Sequence, residues 1–154
     1  MTVLRMRRGS GDDNDWLFEL FRRTMREYIE QAWGWDEMFQ REAFLTHLPG
    51  KSFQILELDK RPVGGYQIKN KEQHLWLEMI LVDPEYQRQG HGSFMLELIR
   101  QRAEEAGLPV KLACLRCNPA CRFYLRRGFS TYDEDPNSLM MAWQPESNPA
   151  ASTP

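Results

Sequence analysis

The chain has 154 residues, 42% of them hydrophobic and 27% charged, which suits one globular core and lies outside the disordered range. A formal net charge of -2 argues against a nucleic-acid binder that relies on a broad basic surface. No apolar run is long enough for a signal peptide or a membrane span, so a cytoplasmic protein with a small partner is expected, without nucleic acid or membrane as partners.

Thr2 to Arg8 alternates weakly and reads as an edge strand closed by Gly9-Ser10-Gly11. A helix follows the acidic start Asp12-Asp13-Asn14-Asp15, with Leu17, Leu20, Phe21, Met25, Tyr28, Ile29 and Ala32 at three- and four-residue steps, and Gly34 interrupts it. A second helix covers about Asp36 to His47, its apolar positions being Met38, Phe39, Ala43, Phe44 and, just beyond, Leu48. Ser52 to Leu58 and Val63 to Lys69 read as a hairpin around the turn Asp59-Lys60-Arg61-Pro62.

Leu75-Trp76-Leu77-Glu78-Met79-Ile80-Leu81-Val82 is apolar on both faces apart from Glu78, as a central strand covered on both sides would be. After Asp83-Pro84-Glu85-Tyr86 and a glycine loop, a helix carries Phe94, Met95, Leu98, Ile99 and Ala103 to its stop at Gly107. Pro109 to Arg116 is a second buried-type strand, and Asn118-Pro119 starts a short helix that ends at Arg127-Gly128-Phe129. Strands over Phe129 to Asp133 and Ser138 to Gln144 complete the order β-α-α-β-β-β-α-β-α-β-β. Residues 1–145 are expected to form a single domain and 146–154, small, polar and rich in proline, a disordered tail.

The strand, the loop Gln87-Arg88-Gln89-Gly90-His91-Gly92 and the following helix aim backbone N–H groups at one point, where unpaired donors and the helix dipole favour an anion. The loop lacks the lysine of the nucleotide-binding P-loop and the third glycine of the dinucleotide fingerprint, yet a pyrophosphate suits it. A plain turn into a helix would use the same two glycines.

The segment from Leu77 to Gly92 closely resembles the acetyl-CoA-binding segment of the GNAT superfamily of N-acetyltransferases: a strand, a Val-Asp-Pro turn, then Gln/Arg-x-x-Gly-x-Gly/Ala. Asn118 to Phe129 is similar to the family's downstream Asn-x-x-Ala-x-x-x-Tyr-x-x-x-Gly-Phe segment, with Cys121 in the alanine's place and one residue fewer before Tyr124. The resemblance implies a three-layer α/β fold with four helices and a mixed, mostly antiparallel sheet of about seven strands, splayed between strands four and five. It implies acetyl-CoA as acyl donor, with its pantetheine arm along Ile80, Leu81 and Val82, its pyrophosphate on the loop from Gln87 to Ser93, and its arm in contact with Asn118 and Tyr124. A small-molecule or peptide amine is the acceptor, which attacks the thioester directly in a ternary complex; no metal is implied, and a homodimer stays open. A relative that binds acyl-CoA without catalysis would carry the same motifs.

Acetyl transfer from a thioester needs a neutral amine, a stabilised oxyanion and a proton for the departing thiolate. Tyr124 offers its phenol to the sulfur, as proton donor or as hydrogen bond, or else it packs the short helix. Glu78, the one charge in an apolar run, would have its pKa raised by burial and serve as general base on the face of Trp76, Ile80 and Val82, or it pairs with an arginine. Asn118 serves as helix cap, ligand contact or both. Trp33, Trp35 and Asp36 lie where the superfamily's acceptor entrance would be, and could hold a cationic amine or simply lock the corner between two helices. Cys114, Cys117 and Cys121 suggest a dithiol or metal cluster, but a metal would want a fourth ligand that His47, His74 and His91 do not supply.

Overall fold

A strand that is apolar on both faces demands cover on both sides, and the two stretches of that kind lie at the centre of the sheet. The structure, a computed structural model, describes residues 2–146. Its elements run β1 (Leu4–Arg8), α1 (Asn14–Trp33), α2 (Glu37–His47), β2 (Gln54–Leu58), β3 (Arg61–Asn70), β4 (Leu75–Val82), α3 (His91–Ala106), β5 (Val110–Leu115), α4 (Ala120–Arg126), β6 (Ser130–Glu134) and β7 (Ser138–Trp143). The sheet has seven strands in the order β1-β2-β3-β4-β5-β7-β6, antiparallel throughout except between β4 and β5. The expected tail, apart from Glu146, lies outside the described residues.

Helices cover both faces. On one, Leu17, Phe18, Leu20 and Phe21 of α1 and Phe44 of α2 close over Phe53, Ile55 and Leu81. On the other, Met95, Leu96 and Ile99 of α3 and Tyr124 of α4 close over Leu56, Leu77, Leu112 and Met141. Each such side chain removed from water contributes roughly 1.5–3 kcal/mol. Of the apolar positions read in α2, Phe44 is buried and Leu48 follows it into the core, whereas Met38 and Phe39 are 73% and 64% exposed. Only the second half of α2 packs on the sheet.

The start of α1 is pinned to the sheet. Ser10 and Asp13 form a capping box, and Arg7 of β1 forks onto both Asp13 oxygens at 2.9 and 3.0 Å while its Nε reaches Glu57 at 2.8 Å. The Arg7 guanidinium holds Asp13 below the usual carboxylate range. The β2–β3 turn is shorter than its four charged residues suggest: Asp59 and Lys60, both at positive φ, make it alone. Arg61 and Pro62 join β3, with the proline tolerated where the register to β2 slips.

Two irregularities in β4 position the site. Its register on β3 steps from Met79 opposite Gln67 to Leu77 opposite Ile68, so Glu78 is an extra, bulged residue. The alternation therefore shifts: Leu75, Leu77, Ile80 and Val82 all pack towards α3 and α4, while Met79 and Leu81 pack under α1 and α2. This corrects the expectation that Glu78 shares a face with Ile80 and Val82. Second, β4 and β5 pair only at Leu75–Val110 and Trp76–Lys111 and then part. Beyond Trp76 the β5 side of β4 has no strand beside it.

Candidate functional site

A cleft of about 740 Å³ fills the gap where the two central strands separate. That is within the range of small-molecule sites. Its floor is Ile80, Leu81 and Val82, its far wall Asn118, Phe123 and Tyr124, and its roof Thr24, Met25 and Tyr28 of α1.

At one end the glycine loop closes the cleft. Asp83 starts it: the carboxylate accepts from the Glu85 N–H at 3.0 Å, ahead of Pro84, and meets Arg23 of α1 at 3.3 Å. Gln87 ties the loop back to the strand, donating from Nε2 to the Val82 carbonyl at 3.0 Å. Gly90 has φ +85 and open space where a Cβ would stand, a conformation that favours glycine and leaves room above the loop. It precedes α3, whose 16 residues begin at His91, so the first N–H groups of that helix open towards the cleft without intrahelical partners. Arg88, Gly90, His91, Gly92 and Ser93 all line this end; Gln89 is exposed and lies off the lining. The His91 ring turns inward: the residue is 6% exposed and both ring nitrogens are buried without a partner.

Asn118 does two things. Its Oδ1 accepts from the Ala120 N–H at 2.9 Å and so caps α4, while Nδ2 faces Met25 Sδ at 3.7 Å across the cleft. Tyr124, 7% exposed, is fixed edge-on between Phe123 and Phe129, at 5.4 and 5.5 Å between ring centroids. Burial, reinforced by Cys114 and Cys121, pushes its phenol well above the usual tyrosine value, so it stays protonated.

The remaining candidates stand apart from the cleft. Glu78 is not enclosed; its side chain is 26% exposed and its carboxylate lies 3.7 Å from Lys69 Nζ, so its partner is a lysine rather than an arginine. Trp35 stacks near Phe21 at 6.0 Å and donates to Glu37 at 3.1 Å, Asp36 caps α2 through the Phe39 N–H at 3.0 Å, and Trp33 is 64% exposed. Cys114 and Cys121 are buried thiols and Cys117 an exposed one; among the described residues no group of three His, Cys, Asp or Glu side chains converges as a metal centre would need. No helix among those residues is long and apolar enough to cross a membrane.

Residues 15–129 match the sequence model of the acetyltransferase (GNAT) family. The chain belongs to that family. The parted central strands, the loop and α3 are where the family's acetyl-CoA motif placed them. Among solved structures, the chain is similar to the PaiA N-acetyltransferase of Thermoplasma acidophilum in complex with coenzyme A, with TM-score 0.74 and 19% identity over 92% of this chain and 99% of that one. It is also similar to the ribosomal-protein-S18-alanine N-acetyltransferase of Escherichia coli, with TM-score 0.70 and 19% identity over 97% of both chains. Chaetomium thermophilum Naa20 in complex with a bisubstrate analogue follows, with TM-score 0.66 and 19% identity over 92% of this chain and 86% of that one. At such identities the likeness establishes the fold. No curated protein matches the chain in sequence at a significant level.

Membership in the family does not extend to residues outside its motifs, and several cleft residues had no such signal. Met25 and Tyr28 belong to the apolar stripe of α1, and nothing in that stripe separates a position over the gap from one over the sheet. Arg126 and Arg127, which also line the cleft, read as ordinary basic residues closing a helix.

Proposed function

We propose that the protein is an acetyl-CoA-dependent N-acetyltransferase that passes the acetyl group to a primary amine by direct attack in a ternary complex. The observation that carries this reading is the parting of β4 from β5 after Trp76, which leaves a strand edge, a helix N-terminus and Tyr124 facing one cleft.

The residues present fit the donor. Gly90 leaves space above the loop and the first turn of α3 presents free N–H groups, which suits a pyrophosphate. Ile80, Leu81 and Val82 offer an unpaired edge for an amide-bearing arm, and Asn118 Nδ2 reaches into the same space. Acetyl-CoA brings the acyl group as a thioester. Tyr124 lines the same cleft, and its hydroxyl donates a hydrogen bond to the sulfur as negative charge develops there. A thiol ionises near 8.5, far below this raised phenol, so Tyr124 stabilises the leaving thiolate without surrendering its proton. Met25 and Tyr28, on the roof, face the amine. Glu78 lies off the cleft lining, so as general base it takes the amine proton through a water.

The test is twofold. Acetyl-CoA should raise the melting temperature by mass action, and thiol release should appear with at least one member of a broad amine and peptide N-terminus panel. A thermal shift without thiol release would favour a non-catalytic acyl-CoA-binding module. No shift at millimolar acetyl-CoA would remove both readings.

A further inference from the structure

We propose that the open sheet face around Trp76, Lys111 and Tyr132 is a docking surface for a peptide acceptor, with Lys111 holding an acidic side chain near the peptide's N-terminus. The proposal rests on the acetyl-transfer reading above. Leu75, Val110, Leu112 and Met141 pack beneath α3 and α4. The residues that alternate with them, Trp76, Lys111, Ala113, Met140 and Ala142, therefore face the opposite side of the sheet. Among the described residues, none of these joins the cluster that α1 and α2 close over. An indole, a thioether and two alanine methyls thus stand together outside both cores, the kind of apolar patch that marks an interaction site.

One cation stands free on this face. In β6 the register slips between Thr131 and Asp133 and leaves Tyr132 as the extra residue. Its ring, 50% exposed, meets Lys111 Nζ at 5.0 Å from the centroid. Trp76 is registered opposite Lys111, and His74 stands edge-on to its indole at 6.2 Å between ring centroids. Slight burial, then Lys111 and Lys71, hold the His74 pKa below the ordinary histidine value, so at pH 7 that imidazole is neutral. No carboxylate of the described residues lies within 4.0 Å of Lys111. Lys69, on the same face, is paired with Glu78 at 3.7 Å, and Asp133, beside Tyr132, accepts from the Glu134 N–H at 2.8 Å. Lys111 is therefore a partly buried cation, stacked in place and without a counter-charge.

Its place relative to the chemistry sets the class of acceptor. Trp76 and Lys111 are the last registered pair before β4 and β5 part, and Glu78 stands two residues further along β4. An amine beside Glu78 and an anion on Lys111 are separated by one inter-strand step and two residues, about 8 Å. The amine and carboxylate of one α-amino acid do not span that distance. An extended peptide adds about 3.3 Å per residue and reaches it with a side chain among its first three residues. The face crosses β4, β5, β7 and β6, about 14 Å at the usual strand spacing. Small ligands favour concave pockets, whereas a flat strip of this width suits an extended chain of about four residues.

Initial rates of thiol release by the full chain at saturating acetyl-CoA test the proposal. The acceptors are peptide pairs that differ only by Asp against Asn, or Glu against Gln, within the first three residues, with small primary amines alongside. Wild type should use the acidic twin about tenfold better in kcat/KM, the scale of one charge-assisted contact. The difference should lie in KM, because a contact remote from the thioester holds ground state and transition state alike. Lys111→Gln should shrink the ratio to less than about twofold, Lys111→Glu should invert it, and Lys111→Arg, which restores the charge, should keep it. Each ratio is read within one protein preparation, so a smaller folded fraction does not alter it. Equal use of both twins by wild type overturns the acidic preference. A ratio that survives Lys111→Gln overturns the assignment to Lys111. Turnover of small amines but of no peptide overturns the docking surface and leaves the acetyl-transfer reading standing. Absence of thiol release with every acceptor overturns that reading, and the docking surface with it.

Discussion

Replacing Tyr124 by phenylalanine isolates one hydrogen bond. The ring is enclosed by Phe123 and Phe129 and only 7% exposed, so phenylalanine keeps the packing. The hydroxyl has no hydrogen-bond partner among the described residues, so its removal leaves no orphaned group, and folding stability should change by less than about 1 kcal/mol. In the proposed reaction, what is lost is a donor to a sulfur that becomes charged only as the bond breaks. Hydrogen bonds to charged groups are worth about 1.5–3 kcal/mol, which corresponds to roughly a 10- to 150-fold fall in turnover. Because that interaction belongs to the transition state, acetyl-CoA affinity should stay within about threefold of wild type. Stopped-flow or steady-state thiol release gives the first number, calorimetry the second and urea unfolding the third. Turnover equal to wild type, under conditions where chemistry limits the rate, would make Tyr124 a packing residue and leave the thiolate to solvent.

Three further outcomes are expected. Gly92→Asp, at a position of ordinary backbone geometry, should leave a folded protein that no longer binds CoA, because its carboxylate enters the space meant for phosphates; wild-type affinity would show that the loop is only a turn. Glu78→Gln should lower turnover at neutral pH and progressively less at alkaline pH, where more of the amine is already neutral, and should cost under about 1 kcal/mol of stability because its pair with Lys69 is partly exposed; a deficit constant with pH would remove it as the base. Asp13→Asn should destabilise the fold by about 2 kcal/mol at pH 7, the scale of a charge-assisted fork. Since Arg7 lowers the folded pKa of Asp13, the wild-type carboxylate contributes fully above the unfolded value of about 3.9 and its contribution is lost as pH falls through the folded value. Parallel pH–stability curves for Asp13→Asn and wild type in acid would refute that linkage.

What could be read in advance follows from which features write themselves into periodicity. The turn Asp83-Pro84, the glycine loop and the Asn118 start of α4 depend on residue types with special backbone needs, so they stand at their expected places. The bulge at Glu78 could not be read, because Leu75 to Val82 is apolar at nearly every position and alternation carries no phase in such a run. The consequence was a wrong face for Glu78. The α2 helix misleads in the opposite direction: Met38 and Phe39 keep helical spacing yet remain exposed, since spacing does not say how far a helix extends past the sheet. The arginines of α4 gave no warning either. Arg127 meets Ser93 and Phe123, and that contact exists only once α3 and α4 lie side by side.

The separation of β4 from β5 also divides the sheet mechanically. Strands β1 to β4 form one continuous ladder and β5, β7 and β6 another, joined through two registered pairs near Leu75 and Val110. A seam so short makes the two ladders separate cooperative units, each able to open at a lower free energy than the whole. A ligand that lies along Ile80, Leu81 and Val82 and touches Asn118 bonds to both, and acts as a missing strand between them. Amide exchange in β5 to β7 should then slow together with that in β4 when CoA binds, including at amides far from any ligand atom.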